Sequence, residues 1–172
     1  MKRTINKDQV SFRKITYRPI GLIHSPYEQK TGVPIQGSLS ENSIGTVEIF
    51  PEFADGLKDV EGFSHLVLLY HMHRVERFEL LCKPFLQNKE HGIFAVRAPC
   101  RPNPIGFSVV RLEKRDGRIL HISEVDILNQ TPLLDIKPWV SRFDSRQNTR
   151  AGWFDKALKR VRTKDADNRF GQ

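Results

Sequence analysis

The chain is poor in the residues that mark several common protein classes. It has two cysteines in 172 residues, Cys82 and Cys100, which make neither a disulfide framework nor a Cys-x-x-Cys pair. Its 11 glycines are scattered so that no two lie closer than five residues. Neither a G-x-G-x-x-G nucleotide turn nor a P-loop is present, and an ordinary Rossmann enzyme is excluded. Apolar residues never run for the 18 or so positions that span a bilayer. The start, MKRTINKDQV, has no apolar stretch behind its charges, as a secretory signal would need. A reduced, soluble, cytoplasmic protein is the expectation.

Hydrophobic residues make up 38% of the chain, enough for one core. The net charge of +8 is unevenly placed: residues 1–18 and 141–172 each carry +5, and the body between them carries −2. Basic ends around a nearly neutral body suit an anionic polymer held by the termini, and equally suit solvated tails.

Short strands alternate with turn signals. YRPIGLIHSPY (17–27) reads as a strand ending at Ser25-Pro26, and residues 28–43 as a long polar loop. GTVEIF (45–50) alternates as a strand, and a helical turn is expected from Pro51. HLVLLYHMH (65–73) has the two-faced apolar pattern of a central strand. Residues 75–92 read as a short helix and a loop, and IFAVRA (93–98) as a strand. FSVVRLEKRDGRILHISEVDIL (107–128) places two β-rich runs around Asp116-Gly117, a hairpin signal. TPLLDIKPW (131–139) is a further strand. Phe154, Leu158 and Val161 fall on one face of a basic helix over 152–162. The pattern implies a mainly all-β protein, a small single-sheet barrel with short helices, in three parts. These are a basic lead (1–17), a barrel domain (18–145), and a basic C-terminal helix and tail (146–172).

Two segments carry the chemistry. RAPCRPNPIGFS (97–108) packs three prolines, an asparagine and two arginines into twelve residues. Proline fixes φ and restricts the residue before it, so this loop is stiff before any ligand arrives and binding need not supply that order. DILNQTPLLDIKPW (126–139) gathers Asp126, Asn129, Gln130, Thr131, Asp135 and Lys137 around a turn. A surface ion pair of Asp135 with a basic group is as good a reading as a functional one. His71 and His73 share a strand face, but no third ligand stands at metal spacing, so no metal is expected. Cys100 beside Arg101 has a nucleophile's charge environment, yet a small buried hydrophobe is its expected role.

RPIGLIHSPY, FSHLVLLY, VRAPCRPNPIGFSVV and DILNQTPLLDIKPW occur in an order and spacing that resembles the TsaA-like family, also called YaeB or TrmO, over residues 18 to 145. That resemblance implies an S-adenosylmethionine-dependent tRNA methyltransferase acting on N6 of threonylcarbamoyladenosine beside the anticodon. It also implies an unusual β-barrel that forms a homodimer, with the cofactor near the subunit interface. Carried onto matching positions, cofactor contacts fall on Gly37, Ser38, Leu39, His73, Arg74, Arg101, Leu112, Leu128, Asn129, Gln130 and Thr131. Gln130 stands where many members have glycine, and glutamine takes φ > 0 reluctantly, so a changed turn is expected there. Trp139 replaces a common tyrosine, and the chain stops about thirty residues past the core, where some bacterial members carry a further domain.

Methyl transfer to this nitrogen needs donor and acceptor in line and a group to take the proton. Asp135 is the expected proton acceptor, with Lys137 and Arg101 holding an acidic group of the substrate. A non-catalytic RNA-binding barrel, or a methyltransferase of the same family with another acceptor, are the competing readings.

Overall fold

The computed structural model describes residues 14–34, 43–85 and 88–155. Six strands close into an antiparallel barrel in the order β1-β2-β7-β6-β3-β8. They are β1 (Gly21–His24), β2 (Ile44–Ile49), β3 (His65–His71), β6 (Ile105–Asp116), β7 (Ile119–Ser123) and β8 (Thr131–Pro138). Each strand alternates, so one set of side chains meets inside. Ile23, Val47, Ile49, Leu66, Leu68, Val110, Leu120, Ile122 and Leu133 are at most 2% exposed and fill the interior. The mainly β architecture expected from the sequence is therefore present, as is the hairpin, whose turn has Gly117 at φ 57°.

A second, smaller unit stands beside the barrel. β4 (Leu81–Cys82) pairs with β5 (His91–Gly92) through two residue pairs. Cys82, Ile93, Val96 and Ala98 form its core, with Cys100 and Trp153 packed against them. Here two expectations fail. Ile93–Ala95 is a 3-10 turn and not a strand, because it buries Ile93 and Val96 on one side against Cys82. Residues 75–80 show no helix. Pro51–Leu57 is a 3-10 turn led by proline, as expected.

The four-residue helix α1 (Ser141–Asp144) was not foreseen. The expected basic helix is described only to Asp155, and its remainder lies outside the described residues. Trp153, just ahead of it, donates its indole N–H to the Ala95 carbonyl (2.8 Å) and stacks on His91 with ring centroids 4.8 Å apart. After Trp139, whose N–H still donates to the His65 carbonyl of β3 (3.0 Å), the chain reaches the small unit through Trp153.

Candidate functional site

Register decides what gathers at each barrel mouth. β3 and β8 run antiparallel, pairing Leu66 with Pro138 at one end and Tyr70 with Leu133 at the other. At the Tyr70 end lies a cleft of about 530 Å³. The barrel supplies Tyr70, Met72, His73, Arg74, Gly106, Phe107, Asp126, Ile127, Leu128 and Thr131. The small unit and its loop supply Phe94, Val96, Arg97, Pro99 and Arg101, and Lys30, Val33 and Pro34 close a third side. The volume and the mostly apolar walls with a few polar groups are those of a small-molecule site.

The proline-rich loop is held as its composition implies. Arg101 N–H donates to the Pro99 carbonyl (2.7 Å) and Ile105 N–H to that of Asn103 (2.8 Å), two tight i→i+2 turns. Met72 N–H donates to the Pro104 carbonyl (2.8 Å), fastening the loop to the end of β3. The Arg101 guanidinium is partly spent on this wall: Nη1 donates to the carbonyls of Ile93 (3.0 Å) and Val96 (2.8 Å).

The turn after Asp126 is stitched to the segment after β1. Ser25 Oγ donates to the Ile127 carbonyl (2.6 Å), and Ser25 N–H to Asn129 Oδ1 (3.2 Å). Asn129 N–H donates to the Tyr27 carbonyl (2.8 Å), and Asn129 Nδ2 to Glu28 Oε1 (2.7 Å). Asn129 is thus engaged in fixing the loop. Gln130 does take the left-handed conformation, φ 60°, so the turn keeps the shape a glycine would give it. Its side chain points away from the cleft lining, where its amide meets His24 Nδ1 at 2.9 Å.

His73 is set by its neighbours. Thr131 Oγ1 donates to the Leu128 carbonyl (2.7 Å), so the same oxygen accepts from His73 Nδ1–H (3.3 Å), which leaves Nε2 as the acceptor. Burial first, then the charges of Arg74 and His71, hold this imidazole below its ordinary value, so it is neutral at neutral pH.

Behind Tyr70 and Asp126 of the cleft wall lies a chain of hydroxyls that sequence reading missed. Tyr70 Oη meets Ser108 Oγ at 3.0 Å, and Ser108 Oγ donates to Asp126 Oδ1 at 2.6 Å. With the serine proton committed to the carboxylate, Tyr70 donates to serine. Burial, and then the Asp126 charge, push the Tyr70 phenol well above its usual range, so it stays protonated. A serine inside the apolar run GFSVV is the signal that could have exposed this chain, because a buried hydroxyl needs a partner.

Of the expected contacts, His73, Arg74, Arg101, Leu128 and Thr131 line one cleft, with Asn129 and Gln130 in the turn behind it. Gly37, Ser38 and Leu39 lie outside the described residues. Leu112 packs against the barrel core, six residues along β6 from Gly106 and so roughly 20 Å away. Asp135 and Lys137 pair with each other, Nζ to Oδ2 2.7 Å, with side chains 42% and 62% exposed. Asp135 borders a second cavity of about 500 Å³ at the opposite mouth, beneath the 51–57 turn. It is four residues from Thr131, or roughly 13 Å along the strand. Among the described residues no group of three or more His, Cys, Asp and Glu has metal-site geometry, and no helix is long and apolar enough to cross a membrane.

A closed antiparallel barrel with a basic, largely apolar cleft at one mouth defines a β-barrel protein with a candidate small-molecule site. The chain matches the family described as the tRNA-methyltransferase O N-terminal domain over residues 22–145, and it belongs to that family. It is 55% identical over 156 residues to a probable S-adenosyl-L-methionine-binding protein of Pyrococcus abyssi, covering 91% of this chain and 85% of that one. It is 36% identical to the mouse tRNA (adenine(37)-N6)-methyltransferase over 76% of this chain, which spans only 32% of that enzyme. The crystal structure of TrmO from Pseudomonas aeruginosa superposes with a TM-score of 0.69 at 37% identity, over 81% of this chain and 62% of that one. The chain thus spans less than two thirds of that solved structure.

Proposed function

We propose that this chain transfers a methyl group from S-adenosylmethionine to N6 of threonylcarbamoyladenosine at position 37 of tRNA. The observation that carries the reading is convergence: the end of β3, the 97–106 loop and the 126–131 turn, which hold three of the four motifs shared with the family, build one cleft. The names of the Pyrococcus and mouse relatives point to this donor and this nucleoside position.

The cleft's chemistry fits the donor, which when bound supplies a methyl group activated by a sulfonium. Val33, Met72, Val96 and Ile127 offer apolar walls for an adenosine. Neutral His73 presents Nε2 as an acceptor for an N–H group, and Arg74 and Arg101 bring positive charge for a carboxylate or phosphate. Gly37, Ser38, Leu39, Leu128, Thr131 and the backbone of Asn129 and Gln130 complete the proposed donor contacts. The basic ends of the chain grip tRNA phosphates, helped by Lys137 and the exposed Arg142, Arg146 and Arg150. We further propose a cytoplasmic homodimer with the donor close to the interface. Phe94, Ile105 and Phe107 support it: they rim the cleft at 79%, 45% and 49% exposure, apolar surface that a partner subunit would cover.

Methyl transfer from labelled S-adenosylmethionine, to tRNA with and without the threonylcarbamoyl group, tests the reading. A methylated threonylcarbamoyladenosine formed only on the modified tRNA is expected. Transfer to unmodified adenosine would move the acceptor, and absence of donor binding would leave an RNA-binding barrel. Light scattering checks the dimer, which Phe107→Asp should dissociate.

A further inference from the structure

The geometry points to Asp126 as the proton acceptor of the reaction, with Ser108 and Tyr70 as the residues that position and charge it. The inference rests on the methyltransferase reading above and adds a residue to it. Four observations carry it. Asp126 is the one carboxylate in the described lining of the cleft, against Lys30, Arg74, Arg97, Arg101 and neutral His73. A proton-donating group entering this cleft therefore has one anion to face. Second, the carboxylate is aimed. Ser108 Oγ donates to Oδ1 at 2.6 Å, within the short range of charge-assisted bonds, and Tyr70 donates to Ser108. Third, both hydroxyls are buried, Ser108 at 6% and Tyr70 at 8%, on adjacent strands whose register is fixed by the ladder pairing Leu68 with Ser108 and Tyr70 with Gly106. Fourth, β6 carries glycine at 106, where a Cβ would lie 2.0 Å from the Tyr70 ring. The backbone is cut back to let the tyrosine reach the serine.

The step balances as follows. The N6–CH3 bond forms as the S–CH3 bond breaks and its electron pair stays on sulfur. The proton on N6 passes to Asp126, whose carboxylate becomes a carboxyl. The Ser108 hydroxyl, itself held by Tyr70, donates to the carboxylate and keeps its orientation between turnovers. Asp135, at the far mouth and paired with Lys137, cannot reach the same atoms. Besides Asp126, the groups facing the cleft that titrate or carry charge are Tyr70, His73, Lys30, Arg74, Arg97 and Arg101. Of these, His73 is the other candidate to titrate in the acid range.

The test combines donor affinity, the pH dependence of turnover, and the titration of the Asp126 carboxyl followed by carbon NMR. Asp126→Asn should cut turnover by about a hundredfold or more, the usual scale for a lost general base, while S-adenosylmethionine affinity by calorimetry stays within about threefold. Tyr70→Phe keeps the ring and removes one donor. It should raise the Asp126 titration midpoint and move the acid limb of turnover to higher pH by the same interval. Ser108→Ala should shift both further. His73→Asn should leave the limb in place. Loss of donor affinity in proportion to turnover in Asp126→Asn would make this residue a binding group and overturn the assignment. So would a Tyr70→Phe enzyme that loses activity with its acid limb and carboxyl titration unmoved, or a limb that moves only in His73→Asn. Wild-type protein that binds the donor and methylates no tRNA would refute the reading itself, which separates that failure from these.

Discussion

Replacing Gly106 by alanine should cost far more than one methyl group suggests. Gly106 lies on β6 opposite Tyr70. A Cβ there would stand 2.0 Å from Tyr70 Cε2, 2.3 Å from Cζ and 2.6 Å from Cδ2. Carbon atoms settle about 3.5–4.0 Å apart, so the ring must retreat by roughly 1.5 Å. It has little room to do so, because Tyr70 is 8% exposed, sits in the main core, and is tied to Ser108 at 3.0 Å. Overpacking typically costs about 1–3 kcal/mol, and breaking the hydroxyl bond adds about 1 kcal/mol. The expected loss is therefore about 2–4 kcal/mol, read as a lower urea midpoint with unchanged slope. Gly92→Ala is the control: its Cβ meets nothing within 4 Å, and its effect should stay within about 0.5 kcal/mol. A second control removes the ring. In a Tyr70→Ala background the added methyl has nothing to strike, so a double-mutant cycle should show coupling of at least about 1.5 kcal/mol. A Gly106→Ala protein as stable as Gly92→Ala, or a penalty undiminished without the tyrosine, would refute the packing argument.

Three further outcomes are expected. Gln130 holds φ 60°, a conformation that costs a β-branched residue most, so Gln130→Val should destabilise by about 1–3 kcal/mol and Gln130→Gly by much less; thermal unfolding of the pair decides. Arg101→Ala removes donors from the Ile93 and Val96 carbonyls, and Arg101→Lys lacks the planar fork that holds both. Both variants should therefore speed amide exchange across 91–100 while sparing β7. Burial, and then neighbouring Cys100, push the Cys82 thiol up to about 11 from 9.0. The folded state favours the neutral thiol, so its stabilising contribution is complete below pH 9 and disappears as pH rises from 9 toward 11. Urea midpoints should fall over that window in wild type and fall less in Cys82→Ala.

Much of this was legible from residue order, and what was not has a physical reason. Alternation in GTVEIF and HLVLLYH and the Asp-Gly turn fix strands because side chains on a strand repeat every two residues. The prolines of 97–104 identify a rigid loop for the same local reason. IFAVRA misled because a short apolar run rich in β-prone residues reads as a strand, whereas Ile93 and Val96 are buried three apart, the spacing of a 3-10 turn, against Cys82. The acidic residues show the deeper limit. Asp126 and Asp135 flank one turn, and nothing local says which faces the cleft. That depends on the β3–β8 register and its irregularity at Leu69/Tyr70, a pairing between residues more than sixty positions apart. Gln130 shows the converse: stitching through Ser25, Tyr27 and Glu28 overrides a local reluctance to take φ > 0.

The cleft joins two halves of unequal strength, and this bears on how it works. One half is barrel, where the ladders hold Tyr70 on both sides, Gly106 against β3 and Thr131 against β1. The other is a unit whose sheet has two residue pairs and whose core has four buried residues, fastened by single bonds such as Met72 N–H to Pro104 and Glu79 N–H to the Cys100 carbonyl. Segments with few buried contacts open at lower free energy than the core. The division suits a transferase. The carboxylate and its hydroxyl chain must keep their aim through each turnover and stand on the rigid half. On the proposed function, Phe94, Arg97 and Arg101, which would meet donor and tRNA, stand on the half that opens at less cost. Prolines at 99, 102 and 104 lie between the two and keep the joining segment stiff ahead of Ser108.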